Sequence, residues 1–563
     1  MSKKHGIHLI YFLFYYLLFL SAFLVVVVVV PVNAWEQTPQ LLVLRSTYQR
    51  HPTSIATKSY SGSRWNRRWN RCRGVIPSSL RTTPTTLHAS SSWTEIPSIV
   101  GPFDAKAFAE TQCWGQTPLL LQHSFGGTQV FSWKDMLQLA MQDESSSVTS
   151  RLITHQPGTL DTFKLDFGPF SELELSNFLI VDSDTEELRD DPDKNEKDVF
   201  NQVSTLVVND VDRWIPSLSD WMDIHFGFLP RWRRDDAQVS LARKGGGIGP
   251  HVDNYDVFLI QASGTRTWKV GLETLSVKDE FGNLVEASEV RVLDLEGQPA
   301  GEFVTIQLDP GDCLYLPPRV VHWGSATSDD CMTLSVGCRA PSASELLQRI
   351  TESMSDSSSI LATARYTDME DIANWSKQQH GGNQKGLSKK VKDKMKRLVL
   401  DLIEEQLDDD AFWDKLVGEV VTEPNRPTMD YPIPLSEMDE EWKTELGIWA
   451  DSKQALGGVL GGTGVLRRAE GIAFAWSVLE ENEKMGPIMF AQGRSFPLND
   501  NSDAASLLLD MIANGLPLSR QRLDEQGVEV SDTMKSFLLE LIEEGLLYGD
   551  DDDDNNDDDE YIL

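Results

Sequence analysis

Two histidines and one aspartate have the residue types and the spacing of a metal site. His251 and Asp253 lie two positions apart, and His322 follows seventy-one residues later. Two imidazoles and one carboxylate form the facial ligand set that binds Fe(II) and leaves positions open for a substrate and for oxygen. An H-x-D triplet alone is a weak signal, because a lone histidine is more often a hydrogen-bonded core or surface residue. Together with its flanking segments, the pattern predicts an iron-dependent oxygenase.

The elements around these residues explain how they could meet. The apolar run at 257–260 predicts a strand, and the residues before it look extended. Because side chains at i and i+2 leave the same face of a strand, His251 and Asp253 could bind one ion together. A second short apolar strand at 313–316 leads through two prolines into a bend that carries His322. These segments resemble the two metal-bearing strands of a double-stranded β-helix.

An arginine fifteen residues after the first histidine is a candidate for binding a co-substrate. An iron oxygenase needs two electrons, and if 2-oxoglutarate supplies them, its distal carboxylate requires a buried cation. Arg266 follows a Ser-Gly turn at the start of a predicted strand, and a guanidinium can bind a carboxylate through two hydrogen bonds. Lys269 is a less favoured substitute, because its odd offset places it on the opposite face. The alternative is that Arg266 pairs with a surface acid.

The glycine-rich string at 245–249 is not a nucleotide-binding loop. It lacks the Lys-Ser/Thr of a P-loop and precedes a strand instead of a helix. We expect either that it lets a substrate backbone approach the metal site closely, or that it is a plain flexible loop.

A longer run of residues carries a family resemblance. Residues 245–261 read GGGIGPHVDNYDVFLIQ, and a glycine, an arginine, a tryptophan and a glycine follow at 264, 266, 268 and 271. This run closely resembles the ribosomal oxygenases of the JmjC and cupin-like superfamily. The bacterial-type branch, which hydroxylates an arginine of a large-subunit ribosomal protein, is the most similar. Other segments that carry the resemblance lie at 114–121, 208–214, 229–236 and 314–318, so it covers about residues 95–548.

The resemblance implies a fold class and an order of domains. The fold would be mainly β with α, with a JmjC/cupin jelly roll, which is a double-stranded β-helix, at 95–341. A helical region at 342–421 would form a homodimer interface. A winged-helix-like α+β domain would follow at 436–548. Apolar spacing predicts helices at 342–354, 388–407, 450–458, 506–514 and 531–544, and strands at 471–480 and 487–492.

The resemblance also assigns roles to the candidate residues. His251, Asp253 and His322 would bind Fe(II), and Arg266 would bind the distal carboxylate of 2-oxoglutarate, with O2 as the other co-substrate. No further catalytic residue is expected, because the protein supplies position and exclusion of water instead of acid–base chemistry.

Two positions depart from the family pattern. Trp323 follows the distal histidine and could narrow the substrate channel. Ala242 stands where a serine would help to bind the carboxylate, so co-substrate binding could be modestly weaker.

The implied reaction is hydroxylation of a ribosomal protein, with arginine as the favoured side chain. Histidine hydroxylation is the near alternative, because a metal triad does not encode which side chain enters. Demethylation of lysine uses the same iron chemistry on an N-methyl group. A non-catalytic cupin scaffold is a further alternative.

The N-terminal residues predict a destination. Residues 1–34 combine two early lysines, a long apolar core and small residues near Ala34, as in a secretory signal peptide or an uncleaved signal anchor. Residues 35–93 are rich in Ser, Thr and Arg, like an organelle transit peptide. This bipartite leader predicts import into the plastid stroma, with a secreted or endomembrane-anchored protein as the alternative.

Charge and cysteine content limit the partners. The chain carries a formal net charge of −35, and residues 1–90 contain eleven Lys and Arg against one acid, so the remainder carries about −45. We therefore expect a basic ribosomal protein as partner and no direct binding of nucleic acid. The acidic tail at 549–563 is expected to be solvated. Five cysteines without C-x-x-C spacing predict neither a disulfide framework nor a zinc site.

Overall fold

The structure is a computed structural model that describes most of the chain after the leader. The described residues are 93–126, 130–142, 148–179, 202–354, 389–407, 410–424, 433–438, 451–478 and 486–551. The predicted signal segment at 1–34, the transit-like leader up to residue 92 and the acidic residues after 551 lie outside them. No helix in these stretches combines the length and the apolar composition needed to cross a bilayer.

Strands dominate the first two thirds of the described chain. They are β1 Ser98–Val100, β2 Leu119–Gln122, β3 Ser150–His155, β4 Lys164–Phe167, β5 Val203–Val208, β6 Arg234–Ala242, β7 Asp256–Ser263, β8 Arg266–Thr274, β9 Phe303–Leu308, β10 Cys313–Leu316, β11 Val320–Ala326, β12 Cys331–Cys338, β13 Gly464–Arg468, β14 Phe474–Ser477, β15 Ile488–Ala491, β16 Arg494–Pro497, β17 Leu518–Ser519 and β18 Leu547–Asp551.

The helices cluster before the central strands and in the C-terminal third. They are α1 Ala105–Glu110, α2 Trp133–Ala140, α3 Ser176–Leu179, α4 Val211–Trp214, α5 Pro216–Phe226, α6 Val277–Gly282, α7 Ala343–Met354, α8 Lys389–Leu407, α9 Asp410–Thr422, α10 Ser452–Gly461, α11 Asp503–Ala513, α12 Arg520–Glu525 and α13 Asp532–Glu543.

Two facing sheets form the first part of the fold. The larger sheet has the strand order β1-β2-β10-β7-β12-β6-β5-β3-β4, and the smaller has the order β11-β8-β9. Apart from the parallel pair β1 and β2, the neighbouring strands of both sheets are antiparallel. This mainly β architecture with helices confirms the predicted double-stranded β-helix.

The apolar composition of the central strands reflects their burial on both faces. Seven of the eight residues of β7 are buried, because both faces of this central strand are covered. The helices lie on the outer face of the large sheet, where aromatic residues such as Phe226 and Phe258 stack edge to face. Between the two sheets lies a second core that includes Leu259, Trp268 and Leu316. The site described below opens from this inner space.

The C-terminal third has its own hydrophobic core and two small sheets. The sheets have the orders β17-β13-β18 and β14-β15-β16. Each helix and strand predicted in this part is observed. The observed ends differ from the predicted ends by no more than three residues. The winged-helix-like character of this domain and the dimerisation role of α7 to α9 remain predictions.

Candidate metal centre

A short ladder joins the two candidate histidine ligands. His251 donates its main-chain N–H to the His322 carbonyl at 3.1 Å, and His322 returns the bond at 3.0 Å. His322 lies inside β11, not in a bend, so the prediction of a bend at this position was wrong. The extended segment around His251 ends before the strand β7, which begins only at Asp256. His251 is therefore held by a single bridge to β11 instead of by a continuous strand.

Both imidazole rings are oriented by main-chain carbonyls. The Nδ1 atom of His251 lies 2.9 Å from the Gly249 oxygen, and that of His322 lies 3.0 Å from the Val320 oxygen. Because a carbonyl only accepts hydrogen bonds, each Nδ1 carries the proton. Each Nε2 then presents a free lone pair, as a metal-binding histidine must.

The carboxylate of Asp253 completes the cluster from a loop. One of its oxygens lies 3.6 Å from the Nε2 atom of His322. The ligand atoms of His251, Asp253 and His322 all lie within 4.8 Å of one another. The Asp253 carbonyl accepts a 2.8 Å hydrogen bond from the main-chain N–H of Arg319, which fixes the loop. The structure therefore brings together the three residues that the sequence singled out.

Burial keeps the distal histidine neutral. His322 is 1% exposed, and desolvation, assisted by the neighbouring His251, lowers its pKa to about 4. At neutral pH this imidazole is uncharged and can donate its lone pair to a cation.

Arg266 lies at the start of β8 and is almost fully enclosed. It is 2% exposed, although burying a cation without an acid is costly. Its Nε atom contacts the Cys331 sulfur at 3.4 Å, and its Nη2 atom is buried without a hydrogen-bond partner in the described part of the chain. The alternative of a surface ion pair is therefore wrong for this residue. A buried guanidinium with an unused donor has the chemistry of an anion site.

Trp268 lies between the metal cluster and this arginine. Its ring centroid is 5.7 Å from that of His322, and the Arg266 guanidinium carbon is 5.7 Å from the Trp268 ring. His322, Trp268 and Arg266 thus follow one another along the inner face of the small sheet. A ligand that binds a metal at one end of this line could reach the guanidinium at the other.

The glycine string lies along the open edge of β11. Gly245 donates to the Ala326 carbonyl at 2.8 Å, and Gly246 accepts from the Ala326 N–H at 2.9 Å. A Cβ atom at Gly247 would clash with the Gly324 carbonyl. These glycines are therefore required for close packing against the chain itself. Packing within the chain explains why glycine is needed at these positions. The approach of a substrate backbone to the glycines stays a prediction.

The side chains of Trp323 and Lys269 lie on the other face of the small sheet. The Lys269 ammonium lies 5.1 Å from the Trp323 ring, and Lys269 is exposed, as its odd offset predicted. Trp323 and Pro250 help to line a cavity of about 490 Å³, together with His155, Phe163 and the acidic residue Asp294. Trp323 therefore forms part of a cavity wall, and Pro250 in the same wall immediately precedes the candidate ligand His251.

An ion triad with a buried Glu280–Arg319 pair and a partly exposed Arg291 was not predicted from the sequence. Glu280 in α6 accepts from Arg319 and from Arg291, each at 2.5 Å. Arg319 also donates to the side chain of Asn254 at 3.0 Å, and its φ of 70° is unusual for a residue with a Cβ. This left-handed turn aims the Arg319 amide at Asp253. A non-glycine residue after two prolines gives no sequence signal for such a conformation.

Comparison with known proteins finds similarity both in sequence and in fold. Residues 222–346 match the profile of the JmjC domain. A probable ribosomal oxygenase of Haemophilus influenzae is 32% identical over 240 residues, covering 42% of this chain and 50% of that protein. The ribosomal protein uL16 3-hydroxylase of Escherichia coli is 32% identical over 235 residues, covering 42% and 52%. The chain thus spans about half the length of these curated relatives.

Solved structures extend the similarity of fold. A ribosomal oxygenase from Escherichia coli, solved with cobalt and 2-oxoglutarate, superimposes with a TM-score of 0.54 over 79% of this chain and 98% of its own. The sequence identity in that comparison is 23%, so it establishes the fold alone.

Proposed function

We propose that this chain, whose residues 222–346 match the profile of the JmjC domain, is an Fe(II)- and 2-oxoglutarate-dependent hydroxylase of a ribosomal protein. The favoured substrate is an arginine in the large subunit of an organellar ribosome. The observation that carries the proposal is that the ligand atoms of His251, Asp253 and His322 lie close together. The buried Arg266, which has an unused donor, lies on the same inner face of the small sheet as His322.

The donor set fits Fe(II). Two neutral imidazoles and one carboxylate on one side of an ion form the facial triad of non-haem iron oxygenases. The Nδ1 hydrogen bonds of His251 and His322 set both rings before a metal arrives. The three residues would hold the ion, and the ion would bind the co-substrates.

The surroundings of Arg266 fit the distal carboxylate of 2-oxoglutarate. The unpartnered Nη2 atom and the absence of an ion pair in the described residues leave this guanidinium without a counter-charge. A carboxylate that binds there would satisfy a buried donor and neutralise a buried cation at once. A keto acid held at both ends would be oriented for reaction.

The reaction follows from this arrangement. When bound, Fe(II) and 2-oxoglutarate supply the oxidising power to insert one oxygen atom of O2 into a C–H bond, while the keto acid becomes succinate and CO2. His251, Asp253 and His322 hold the ion, and Arg266 orients the keto acid. Buried apolar residues such as Leu259 and Leu316 lie between the two sheets, and they would limit the access of water to the reaction.

The cavity lined by Trp323 and Pro250 supports a basic substrate. Its wall combines the aromatic residues Phe163 and Trp323 with the acids Asp294 and Glu296. Aromatic faces and carboxylates together attract a cationic side chain. The acidity of the chain outside the leader favours a basic ribosomal protein in the same way.

We also propose import into the plastid stroma through the bipartite leader, and a homodimer built on the helical region. The exposed apolar residues Met395, Val399 and Leu400 of α8 support a protein interface. If a fluorescent protein fused to residues 1–93 accumulates in the secretory pathway, the proposed import into the plastid is contradicted. If the protein has the mass of a monomer in solution at micromolar concentration, the proposed homodimer is contradicted.

The product mass tests the proposed reaction. The full-length protein is incubated with Fe(II), 2-oxoglutarate and organellar ribosomes, and ribosomal peptides are compared by mass spectrometry. We expect a gain of one oxygen on an arginine of a large-subunit protein, and no gain with His322→Ala. His123→Asn is the matched control, because this exposed histidine lies outside the site.

The alternatives give different products. A gain of oxygen on a histidine would indicate the other ribosomal branch, and loss of a methyl group would indicate a demethylase. An unchanged ribosomal proteome without consumption of 2-oxoglutarate would indicate a non-catalytic scaffold.

A further inference from the structure

The hydroxyl of Thr205 is buried without a partner. Thr205 lies in β5 and is 0% exposed. Its Oγ1 atom makes no hydrogen bond in the described part of the chain. Buried hydroxyls are almost always hydrogen-bonded, and leaving one unpaired costs free energy. This exception therefore points to a group that binds beside it.

The register of the large sheet places Thr205 in a row with two other residues. Thr205 lies opposite Ala242 in β6, and Ala242 lies opposite Cys331 in β12. Directly opposite residues of neighbouring strands present their side chains on the same face. The three side chains therefore form a row across the inner face of the sheet.

This row leads to Arg266. The Cys331 sulfur lies 3.4 Å from the Nε atom of Arg266. Ala326, which lies opposite Arg266 in the small sheet, packs with Ala242 and Cys331 in one buried cluster. The unused donors of Thr205 and Arg266 therefore lie at the same end of the inner space.

The glycine string closes this end. A Cβ atom at Gly246 would lie 2.9 Å from the Thr205 Oγ1 atom, so the glycine backbone covers the hydroxyl. The Gly246 carbonyl in turn accepts from the Ala326 N–H at 2.9 Å. The hydroxyl is enclosed between β5, β6 and this loop, where the local dielectric constant is low and a hydrogen bond to an anion is strong.

We propose that the Thr205 hydroxyl is a second anchor for the distal carboxylate of the keto acid. Arg266 donates N–H groups to the carboxylate from the small sheet, and Thr205 donates its O–H from the large sheet. Ala242, whose side chain is a single methyl group, lies between the two donors in this row. Thr205 thus supplies from β5 the hydroxyl that position 242 lacks. This inference rests on the proposed function, since it assumes that the site binds 2-oxoglutarate.

The competing occupant is an ordered water molecule. A water bridge would satisfy the same hydroxyl but would give Thr205 no preference for a dicarboxylate. The two possibilities separate when a keto acid with a distal carboxylate is compared with one without it.

Binding is measured by titration calorimetry on the full-length, Mn(II)-loaded protein without oxygen. The ligands are 2-oxoglutarate and 2-oxopentanoate, which lacks the distal carboxylate. We expect Thr205→Val to weaken 2-oxoglutarate binding by about 10- to 100-fold, the effect of one lost hydrogen bond to a charged group. Binding of 2-oxopentanoate should not change.

Three variants control this result. Thr205→Ser keeps the hydroxyl and should bind 2-oxoglutarate like the wild type. Adding Ala242→Ser to Thr205→Val should recover most of the loss, because the new hydroxyl lies next in the row. Ser204→Ala removes a buried hydroxyl from the opposite face of β5 and should have no effect. If Thr205→Val does not fold, Thr205→Ala replaces it.

Equal 2-oxoglutarate affinity in the wild type and the valine variant would overturn the proposal, and so would an equal loss for both keto acids. If the wild type itself binds no 2-oxoglutarate, the proposed function fails and this inference fails with it. If only the effect of Thr205 is missing while Arg266→Met abolishes binding, the proposed function stands and this inference alone fails.

Discussion

The main chains of His251 and His322 form a reciprocal pair of hydrogen bonds, at 3.1 and 3.0 Å. This pair fixes the separation of two ligands that are far apart in the sequence, and their ring centroids lie 4.2 Å apart. A metal therefore meets two ligands that are already in place, which reduces the entropy cost of binding. Only Asp253, which lies in a loop, depends on neighbours outside this ladder.

Replacing Arg266 with methionine should affect ligand binding and stability in opposite directions. Loss of the guanidinium should weaken 2-oxoglutarate binding by about 100-fold or more, because charge-assisted hydrogen bonds are lost. The ligand-free protein should unfold at the same or a higher temperature, because a buried cation without a counter-charge is removed. Calorimetry and thermal unfolding check the two effects. Arg266→Lys keeps the charge and should bind with intermediate affinity, whereas a strongly destabilised methionine variant would argue against this account.

Replacing Glu280 with glutamine should weaken the metal site from a distance. The change removes the negative charge between Arg319 and Arg291, and one-sided loss of a buried ion pair costs about 3 to 5 kcal/mol. Since Arg319 holds the Asp253 loop, we expect metal affinity to fall by about 10- to 100-fold. Titration with Co(II) measures the affinity. Glu286→Gln is a control on an exposed residue nearby. Equal metal affinity of the two variants would show that the ion triad does not support the metal site.

The sequence predicted the ligands better than their supports. The apolar run at 257–260 and the H-x-D triplet are local signals, so His251, Asp253 and Arg266 could be proposed before the fold was known. The left-handed conformation of Arg319 could not, because this conformation is usual for glycine and an arginine at the position gives no signal for it. The contact of Arg319 with Glu280, like the position of Thr205 beside Ala242, depends on pairing between distant segments. Such contacts leave no periodic pattern in one sequence.

Asp223 joins the part of the chain that contains the two facing sheets to the C-terminal part. In α5 it accepts from Arg231 at 2.5 Å and from Arg234 at 2.6 Å, and it also accepts from Arg468 of β13 at 2.9 Å. Asp223→Asn should lower the free energy of unfolding by about 3 kcal/mol, because three buried cations lose their shared carboxylate. Denaturant unfolding measures the loss. The exposed Asp510→Asn is the control, and a change below about 0.5 kcal/mol at Asp223 would contradict this role.

His155 should make stability depend on pH. Burial lowers its pKa from 6.5 to about 4, so the unfolded chain binds more protons than the folded chain between these values. Stability should therefore be greatest above pH 6.5 and decline as the pH falls toward 4. Relative to His155→Gln, the wild type should lose about 2 kcal/mol between pH 7 and pH 5. Unfolding free energies of both proteins at the two pH values test this, and parallel losses would refute it.

The central claim is that one divalent ion and one keto acid bind between the two sheets. The most direct measurement is the anomalous scattering of Mn(II) in crystals grown with 2-oxoglutarate. We predict one metal peak bound by the Nε2 atoms of His251 and His322 and by the Asp253 carboxylate, with the distal carboxylate of the keto acid on Arg266. A metal peak elsewhere, or a keto acid that leaves the Arg266 guanidinium unpaired, would contradict the account.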